Sequence, residues 1–505
     1  NPNQTKTSSS NETFSLTDER NSVQDKKSIN EIILLIDILQ HLHFFWLYMH
    51  LPDQQSSGNH IRNTNFPSKL TMTDRGYFTR KLGGDKVFSV EAPKIKFGNG
   101  VLNELGEDAK SLGMKRVAVF TDRIVAEQES LEIAVKSLEK AGMECEIYNE
   151  VEVEPTDRSF KAGSRFASEG KFDGFVSVGG GSVMDTCKAS NLYSCFPSEF
   201  LDYVNAPIGK AKPVPGPLKP HIACPTTFGT ASECTGIAIF DLLEMEAKTG
   251  IVSPRLRPDL GLLDPLSLKT LHPMIRAANA FDVFSHACES LTARPFTHRQ
   301  APEHPSRRPL SQGANPYSDI ACLEAIQLVG ENLIQAVHDP EDENLEALMF
   351  AGMLAGIGFG NAGCHLPHGM SYAVAGLCKD YQPDGWSSDH ALVPHGISVI
   401  VNSPAVFRFT GSACEERHFQ AAKAMGAETQ GASMEDGGSL LADQLIKMMK
   451  DTGIPNGLQG VGYGRDDLED LTERSYAQKR LIDNAPCPVS RKQMKELFED
   501  SLSYW

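Results

Sequence analysis

Between residues 86 and 265, short apolar runs alternate with stretches whose apolar positions recur at helical spacing. RVAVFTD at 116–122, CEIYNEV at 145–151 and FDGFVSV at 172–178 have the length and composition of strands. Between them, 127–141 and 156–169 read as helices, and Thr156 is placed to cap the second. HIAC at 221–224, GIAIFD at 236–241 and LGLLD at 260–264 supply further strands. Strand and helix alternating at this spacing predict a doubly wound parallel sheet.

Beyond Asp264 and Pro265 the rhythm changes, and long helical patterns at 274–290, 318–337 and 344–356 replace the strands. The reading is an α/β domain over 86–265 followed by an all-α domain over 266–505. A Pro-rich insert at 295–316 breaks the helices and is expected as a loop on the surface or over a site. No internal repeat is visible.

Residues 1–85 follow neither rhythm and read as an extension outside the folded enzyme. The stretch 1–27 is rich in Ser, Thr, Asn and charge and is expected to be disordered. The stretch 32–51 (IILLIDILQHLHFFWLYMHL) raises the question of a membrane span, but Asp37, Gln40, His41, His43 and His50 interrupt it. A carboxylate in mid-bilayer is costly, so an amphipathic segment without stable membrane insertion is expected. The chain opens on Asn rather than Met, so a targeting peptide cannot be read from it.

At 505 residues the chain exceeds one compact core. A net charge of −17 argues against nucleic acid or an anionic membrane as partner. Eleven cysteines with no CxxC pair indicate reduced thiols rather than a disulfide framework. A homodimer is the expected assembly.

The candidate chemistry begins at Gly179, Gly180, Gly181 and Ser182, between a strand and a helix. Three residues without Cβ let backbone N–H groups close around a pyrophosphate at the helix N-terminus. Asp185 and Lys188 follow on one side of that helix and strengthen the cofactor reading, with Asp185 counted among the candidate cofactor contacts. Asp122, ending RVAVFTD, could bind a ribose diol and repel a 2′-phosphate, favouring NAD over NADP, or could simply cap a helix. Thr226, Thr227, Thr230 and Ser232, with Gly229 among them, suit a loop that binds phosphates or a nicotinamide amide.

A second constellation lies in the helical half. Asp282 and His286 are four apart, so one helix face presents a carboxylate and an imidazole together. GNAGCHLPHG adds His365 and His368, and VPHG adds His395. His368 and His395 are preferred as ligands, with His365 expected to line the pocket. One carboxylate and three imidazoles suit a divalent first-row metal with a position left open for substrate. Zinc binds such a set more tightly than ferrous iron, so availability selects between them. Metal-assisted hydride transfer between a small alcohol or hydroxy acid and a nicotinamide is the chemistry this combination implies.

GGGSVMDTCK, PTTFGTASE, the Asp282–His286 pair and the His368 and His395 segments occur in the order seen in iron-containing alcohol dehydrogenases. From Lys86 onward the chain resembles that family. Within it, GIGFGNAGCHLPHGMSYAVAG, VPHGISVIVNSPAVF, NAPCPVS and the insert leading into QGANPYSDI are similar to a mitochondrial transhydrogenase branch. The resemblance implies a dehydroquinate-synthase-like architecture with the site in the cleft between an α/β dinucleotide-binding half and a helical, metal-binding half. It implies Asp282, His286, His368 and His395 as ligands of Fe2+, with Zn2+ as the alternative. Gly179 to Ser182, Asp122, Thr226, Thr227 and Thr230 would contact a tightly held NAD. The implied reaction passes hydride from 4-hydroxybutyrate to 2-oxoglutarate, giving succinate semialdehyde and 2-hydroxyglutarate, in the mitochondrion. Three positions depart from the usual family pattern: Ala231 stands where glycine is usual, Phe228 is bulky beside the same loop, and Tyr372 stands where many members have histidine.

Other readings stay open at this point. A conventional NAD-dependent alcohol dehydrogenase with an exchangeable cofactor would carry the same motifs. Arg299, Arg307 and Arg308 of the insert could reach a dicarboxylate or form a solvated basic loop. A non-catalytic protein on a decayed scaffold is opposed by the presence of all four ligands. A lyase of the dehydroquinate-synthase kind is opposed by the TTFGTASE run.

Overall fold

A computed structural model describes Tyr77 and residues 81–245, 247–386 and 391–505. The expectations for 1–27 and 32–51 lie outside the described residues. The strands are β1 (Ile95–Phe97), β2 (Arg116–Asp122), β3 (Glu144–Val151), β4 (Gly174–Gly179), β5 (His221–Pro225), β6 (Ile237–Leu242), β7 (Ala247–Val252) and β8 (Leu260–Leu263). Six of them form one parallel sheet in the order β1-β8-β5-β4-β2-β3.

Alternation along the strands explains how both faces are covered. Val117 and Val119 of β2 join Val176 and Val178 of β4 in one apolar cluster, closed by helices α1 (Leu105–Ser111) and α2 (Glu129–Lys140). Ala118 and Phe120 point the other way, with Phe175, towards α3 (Asp157–Glu169) and α4 (Gly181–Cys195). The Thr156 hydroxyl caps α3 by accepting the Ser159 N–H. The doubly wound parallel sheet is therefore present. GIAIFD forms β6, but it pairs antiparallel with β7 in a separate hairpin rather than joining the parallel sheet. Strand β7 has no sequence signal because it carries a buried lysine, Lys248, and Gly250.

After β8 the described elements are helical: α5 (Pro273–Thr292), α6 (Pro316–His338), α7 (Asp342–Ala362), α8 (Leu366–Gly376) and α9 (His395–Ile400), then further helices to the C-terminus. Helices α5, α6 and α7 pack on one another around Phe281, Phe284, Val329 and Leu348. Their burial accounts for helices more apolar than a surface amphipathic pattern would give. The Pro-rich insert folds back on residues 81–90. Arg308 donates to both Asp85 carboxylate oxygens at 3.1 Å, and Phe296 packs against Tyr77 and Phe88.

Candidate active site

The chain leaves β2 for β3 on one side and returns from β3 to β4 on the other, so strand order reverses between β2 and β4. The crevice at the carboxyl ends of such a pair is the usual ligand position in open α/β sheets. Asp122 ends β2 and Gly179 ends β4, which places both sequence candidates there. Helix α4 begins without a side-chain cap, leaving its first N–H groups open to an anion. The loop after β5 lies beside it, because Gly179 and Pro225 are in register. A methyl on Gly181 would meet Thr230 Cγ2 at 2.7 Å, and one on Gly180 would meet Thr227 Cγ2 at 3.2 Å. Glycine is thus required by the approach of the two loops. The Thr230 hydroxyl next to Gly181 is buried with no hydrogen-bond partner.

The remaining candidates in this half are more structural in their contacts. Asp122 Oδ1 accepts the N–H groups of Ile124 and Val125 at 2.9 and 2.8 Å, the capping arrangement. Thr226 is buried, and its N–H donates to the Gly179 carbonyl at 3.1 Å, tying the two loops together. Asp185 accepts from the Ser232 hydroxyl and from the Ile239 N–H at 2.9 Å, and Lys188 donates to the Ile237 carbonyl at 2.7 Å. Ala231, where the family usually has glycine, adopts φ 48° and ψ 35°, the left-handed region that glycine enters without strain.

Helix α5 presents Asp282 and His286 on one face, as their spacing predicts. His368 enters from the first turn of α8 and His395 from the start of α9. Asp282 Oδ1 lies 3.8 Å from His286 Nδ1, 3.7 Å from His368 Nε2 and 3.6 Å from His395 Nε2. All four ligand atoms lie within 4.8 Å of one another. Asp282 Oδ1, His286 Nδ1 and His368 Nε2 are buried with no hydrogen-bond partner. Buried polar atoms are almost always satisfied, so orphan acceptors converging on one point fit a cation with bonds of about 2 Å to each. Burial pushes the Asp282 carboxyl up to about 8, a penalty on its anionic form that a cation relieves. The His395 side chain is 25% exposed while the other three are nearly sealed, so the cluster opens to the cleft on that side.

Several supporting residues were not legible as site residues. Glu289, three positions after His286 on α5, accepts from His368 Nδ1 at 2.6 Å. Phe359 stacks on His286 with ring centroids 4.0 Å apart. Glu154, in the left-handed region at φ 55°, donates its N–H to the Ser182 hydroxyl, and its carboxylate accepts from Lys248 Nζ at 2.8 Å. Glu289 alone had a signal, since it falls on the helical stripe of 282 and 286. His365, expected to line the pocket, is instead fully buried. Its Nδ1 accepts the Leu366 N–H at the start of α8, and its Nε2 is 2.9 Å from the Thr292 hydroxyl.

One open cleft joins the two halves of the site, lined by Gly181, Ser182 and Thr230 on one side and His286, His368 and His395 on the other. The insert contributes Ser311, but its arginines do not line this cavity. Arg299 donates to the Ser311 carbonyl, Arg307 pairs with Glu303, and Arg308 pairs with Asp85. The expectation that they reach a dicarboxylate therefore gives way to a structural role.

An uncapped helix terminus suited to an anion and a cluster of metal-ligand type in one cleft are the parts that a metal- and nucleotide-dependent oxidoreductase needs. Residues 92–265 match the iron-containing alcohol dehydrogenase family and residues 309–502 match its C-terminal domain; the chain belongs to this family. It is 46% identical over 424 residues to the mitochondrial hydroxyacid-oxoacid transhydrogenases of Rattus norvegicus and Homo sapiens, covering 83% of this chain and 91% of each relative. Against the probable hydroxyacid-oxoacid transhydrogenase of Dictyostelium discoideum, also named mitochondrial, the identity is 43% over 448 residues, covering 86% of this chain and 82% of the relative. Among solved structures, a 1,3-propanediol oxidoreductase and the alcohol dehydrogenase from Oenococcus oeni each superpose with a TM-score of 0.72 at 26% identity, covering 82% of this chain and 100% of theirs. Sulfoacetaldehyde reductase from Bifidobacterium kashiwanohense, in complex with NAD+, shares the fold at 21% identity and a TM-score of 0.67, covering 83% of this chain and 100% of its own.

Proposed function

We propose that this chain is a mitochondrial hydroxyacid-oxoacid transhydrogenase that carries hydride from 4-hydroxybutyrate to 2-oxoglutarate. The convergence of orphan ligand atoms on Asp282, His286 and His368, in the cleft that also holds the uncapped end of α4, carries the metal-assisted chemistry, and the 46% identity to transhydrogenases supports that branch over a conventional dehydrogenase. Asp282, His286, His368 and His395 would hold a divalent metal, Fe2+ or Zn2+. Gly179 to Ser182, Asp122, Thr226, Thr227 and Thr230 would hold NAD, with Asp185 fixing the loop behind them. When bound, the metal supplies Lewis acidity to the substrate oxygen and the nicotinamide accepts and returns the hydride.

The chain's own residues prepare that chemistry. Glu289 holds a proton on His368 Nδ1, which leaves the Nε2 lone pair facing Asp282. Phe359 fixes the His286 ring by stacking. Ile237, Ile239 and Phe359 give the cleft an apolar wall that excludes water from the reacting carbon. Thr230, its hydroxyl unpaired, is free to donate to or accept from the cofactor. NAD retained between half-reactions and a homodimeric assembly complete the reading.

The test uses metal-loaded protein with no added nicotinamide, given 4-hydroxybutyrate and 2-oxoglutarate. Equal formation of succinate semialdehyde and 2-hydroxyglutarate is the expected result. NADH formation only after NAD and an alcohol are added would favour a conventional dehydrogenase, the reading in keeping with the names of the solved relatives. Silence under both conditions would leave a non-catalytic protein.

A further inference from the structure

Four charged side chains other than the histidines line the cleft: Glu154, Asp185, Lys248 and Arg480. Three of them are engaged within the protein. Lys248 Nζ lies 2.8 Å from Glu154 and 3.1 Å from Asp241. Burial alone would disfavour its charge, but these two carboxylates hold the ammonium well above its ordinary range. Asp185 is bonded to Ser232 and Ile239. Arg480 makes no hydrogen bond or ion pair among the described residues. It is the cation of the cleft left to a ligand.

Its position is firm although its side chain is exposed. Arg480 belongs to the one-turn helix Lys479–Ile482, whose Leu481 and Ile482 are buried against the helical core. That turn packs on α8, where a methyl on Gly369 would stand 3.5 Å from Leu481 Cβ. Helix α8 carries His368 and Tyr372, and both line the cleft with Arg480. The arginine is thereby tied to the element that delivers a metal-ligand histidine. Tyr372, Lys248, Ile239 and Arg480 also line a neighbouring cavity, so Arg480 stands on the wall the two share.

We propose that Arg480 receives the substrate carboxylate at the end remote from hydride transfer. The proposal deepens the transhydrogenase reading and rests on it. A guanidinium offers two parallel donors that match a carboxylate, and a carboxylate in an apolar cleft without such a partner is strongly disfavoured. The two proposed substrates have the same spacing. In 4-hydroxybutyrate two methylenes separate the carbinol carbon from the carboxylate, and in 2-oxoglutarate two methylenes separate the carbonyl carbon from the distal carboxylate. One arginine at one distance from the His/Asp cluster therefore serves both half-reactions, which a carrier retained between them requires.

The experiment compares holoenzyme, R480Q, R480K and K479Q in steady-state turnover of 4-hydroxybutyrate with 2-oxoglutarate, and then with 2-oxopentanoate, which lacks the distal carboxylate. Glutarate is added as a competitive inhibitor. R480Q is expected to raise KM for both acids, and Ki for glutarate, by about 30-fold, with a similar fall in the preference for 2-oxoglutarate over 2-oxopentanoate. R480K should fall between, because lysine keeps the charge and loses the fork. It also keeps the test decisive if R480Q does not fold. K479Q removes the adjacent cation, which does not line the cleft, and should leave the preference unchanged. Unchanged KM and Ki in R480Q with active wild-type protein would overturn the role of Arg480 alone. An equal loss in K479Q would replace it with a diffuse field effect. Wild-type protein inactive on both acids, yet oxidising a simple alcohol with added NAD, would overturn the transhydrogenase reading and this proposal with it.

Discussion

His368 Nδ1 lies 2.6 Å from Glu289 Oε1, and the other Glu289 oxygen accepts the His365 N–H at 2.7 Å. One fully buried carboxylate thus orients the imidazole of a proposed metal ligand and fixes the backbone entering its helix. Carboxylates behind ligand histidines set the tautomer and raise basicity, and their loss weakens metal binding about 10- to 100-fold. Glu289→Gln is expected to lower metal affinity by that factor while the fold is kept. Chelator competition followed by metal analysis measures it, and unchanged affinity would show that the contact only supports packing.

Asp282 is the shared centre of the cluster, within 3.8 Å of each histidine nitrogen. Asp282→Ala should reduce bound metal to less than about a tenth of the wild-type content under the same chelator, because a three-histidine remnant lacks the anionic ligand. Metal content that does not change would mean these four residues are not the ligand set.

Gly181 faces Thr230 so closely that a methyl would stand 2.7 Å from its side chain. Gly181→Ala should therefore push the two loops apart, destabilise the fold by about 1–3 kcal/mol and weaken NAD binding. Thermal melts and cofactor titration read the two effects separately. Thr230→Ala in the same background should recover part of the stability but not the NAD affinity, because the hydroxyl proposed to meet the cofactor is removed.

Two buried groups away from the metal cluster set opposite pH limits. Burial pushes the Glu233 carboxyl up to about 7, so the folded protein holds this proton more tightly than the unfolded chain. Its contribution is fully present below about pH 4.5, the unfolded value, and is lost as pH rises through about 7. Burial holds the His221 imidazole down to about 3, beside the Ser177 hydroxyl at 2.8 Å. Its contribution is fully present above about pH 6.5 and is lost as pH falls towards 3. In urea titrations, Glu233→Gln should flatten the stability profile between about pH 4.5 and 7, and His221→Gln should flatten it between about pH 6.5 and 4. A variant whose profile parallels the wild type would show that its group does not govern that limb.

The sheet strands β2 to β5 and β8, the Thr156 cap and the Asp282–His286 pair were legible because each rests on local periodicity or on a spacing within one helix. Strand β7 was not, because its buried Lys248 is tolerated through Asp241 and through Glu154, 94 positions away. His365 and His368 look alike in sequence, separated by less than one helical turn. One faces Thr292 and caps its helix, while the other faces Asp282. No pattern of three residues could tell which side each would face.

The sequence by itself determined the chemical vocabulary: a glycine loop at a strand–helix junction, one carboxylate and three imidazoles, and an α/β half before a helical half. Local sterics and helical periodicity suffice for that, since they act within a few residues. The tertiary structure alone decided the assembly. It excluded the insert arginines from the cleft by engaging them with Asp85, Glu303 and the Ser311 carbonyl. It brought Arg480 there instead, because Leu481 buries against the helix that carries His368. Burial of apolar surface is non-directional, so which distant segments it brings together is settled only when the whole chain packs.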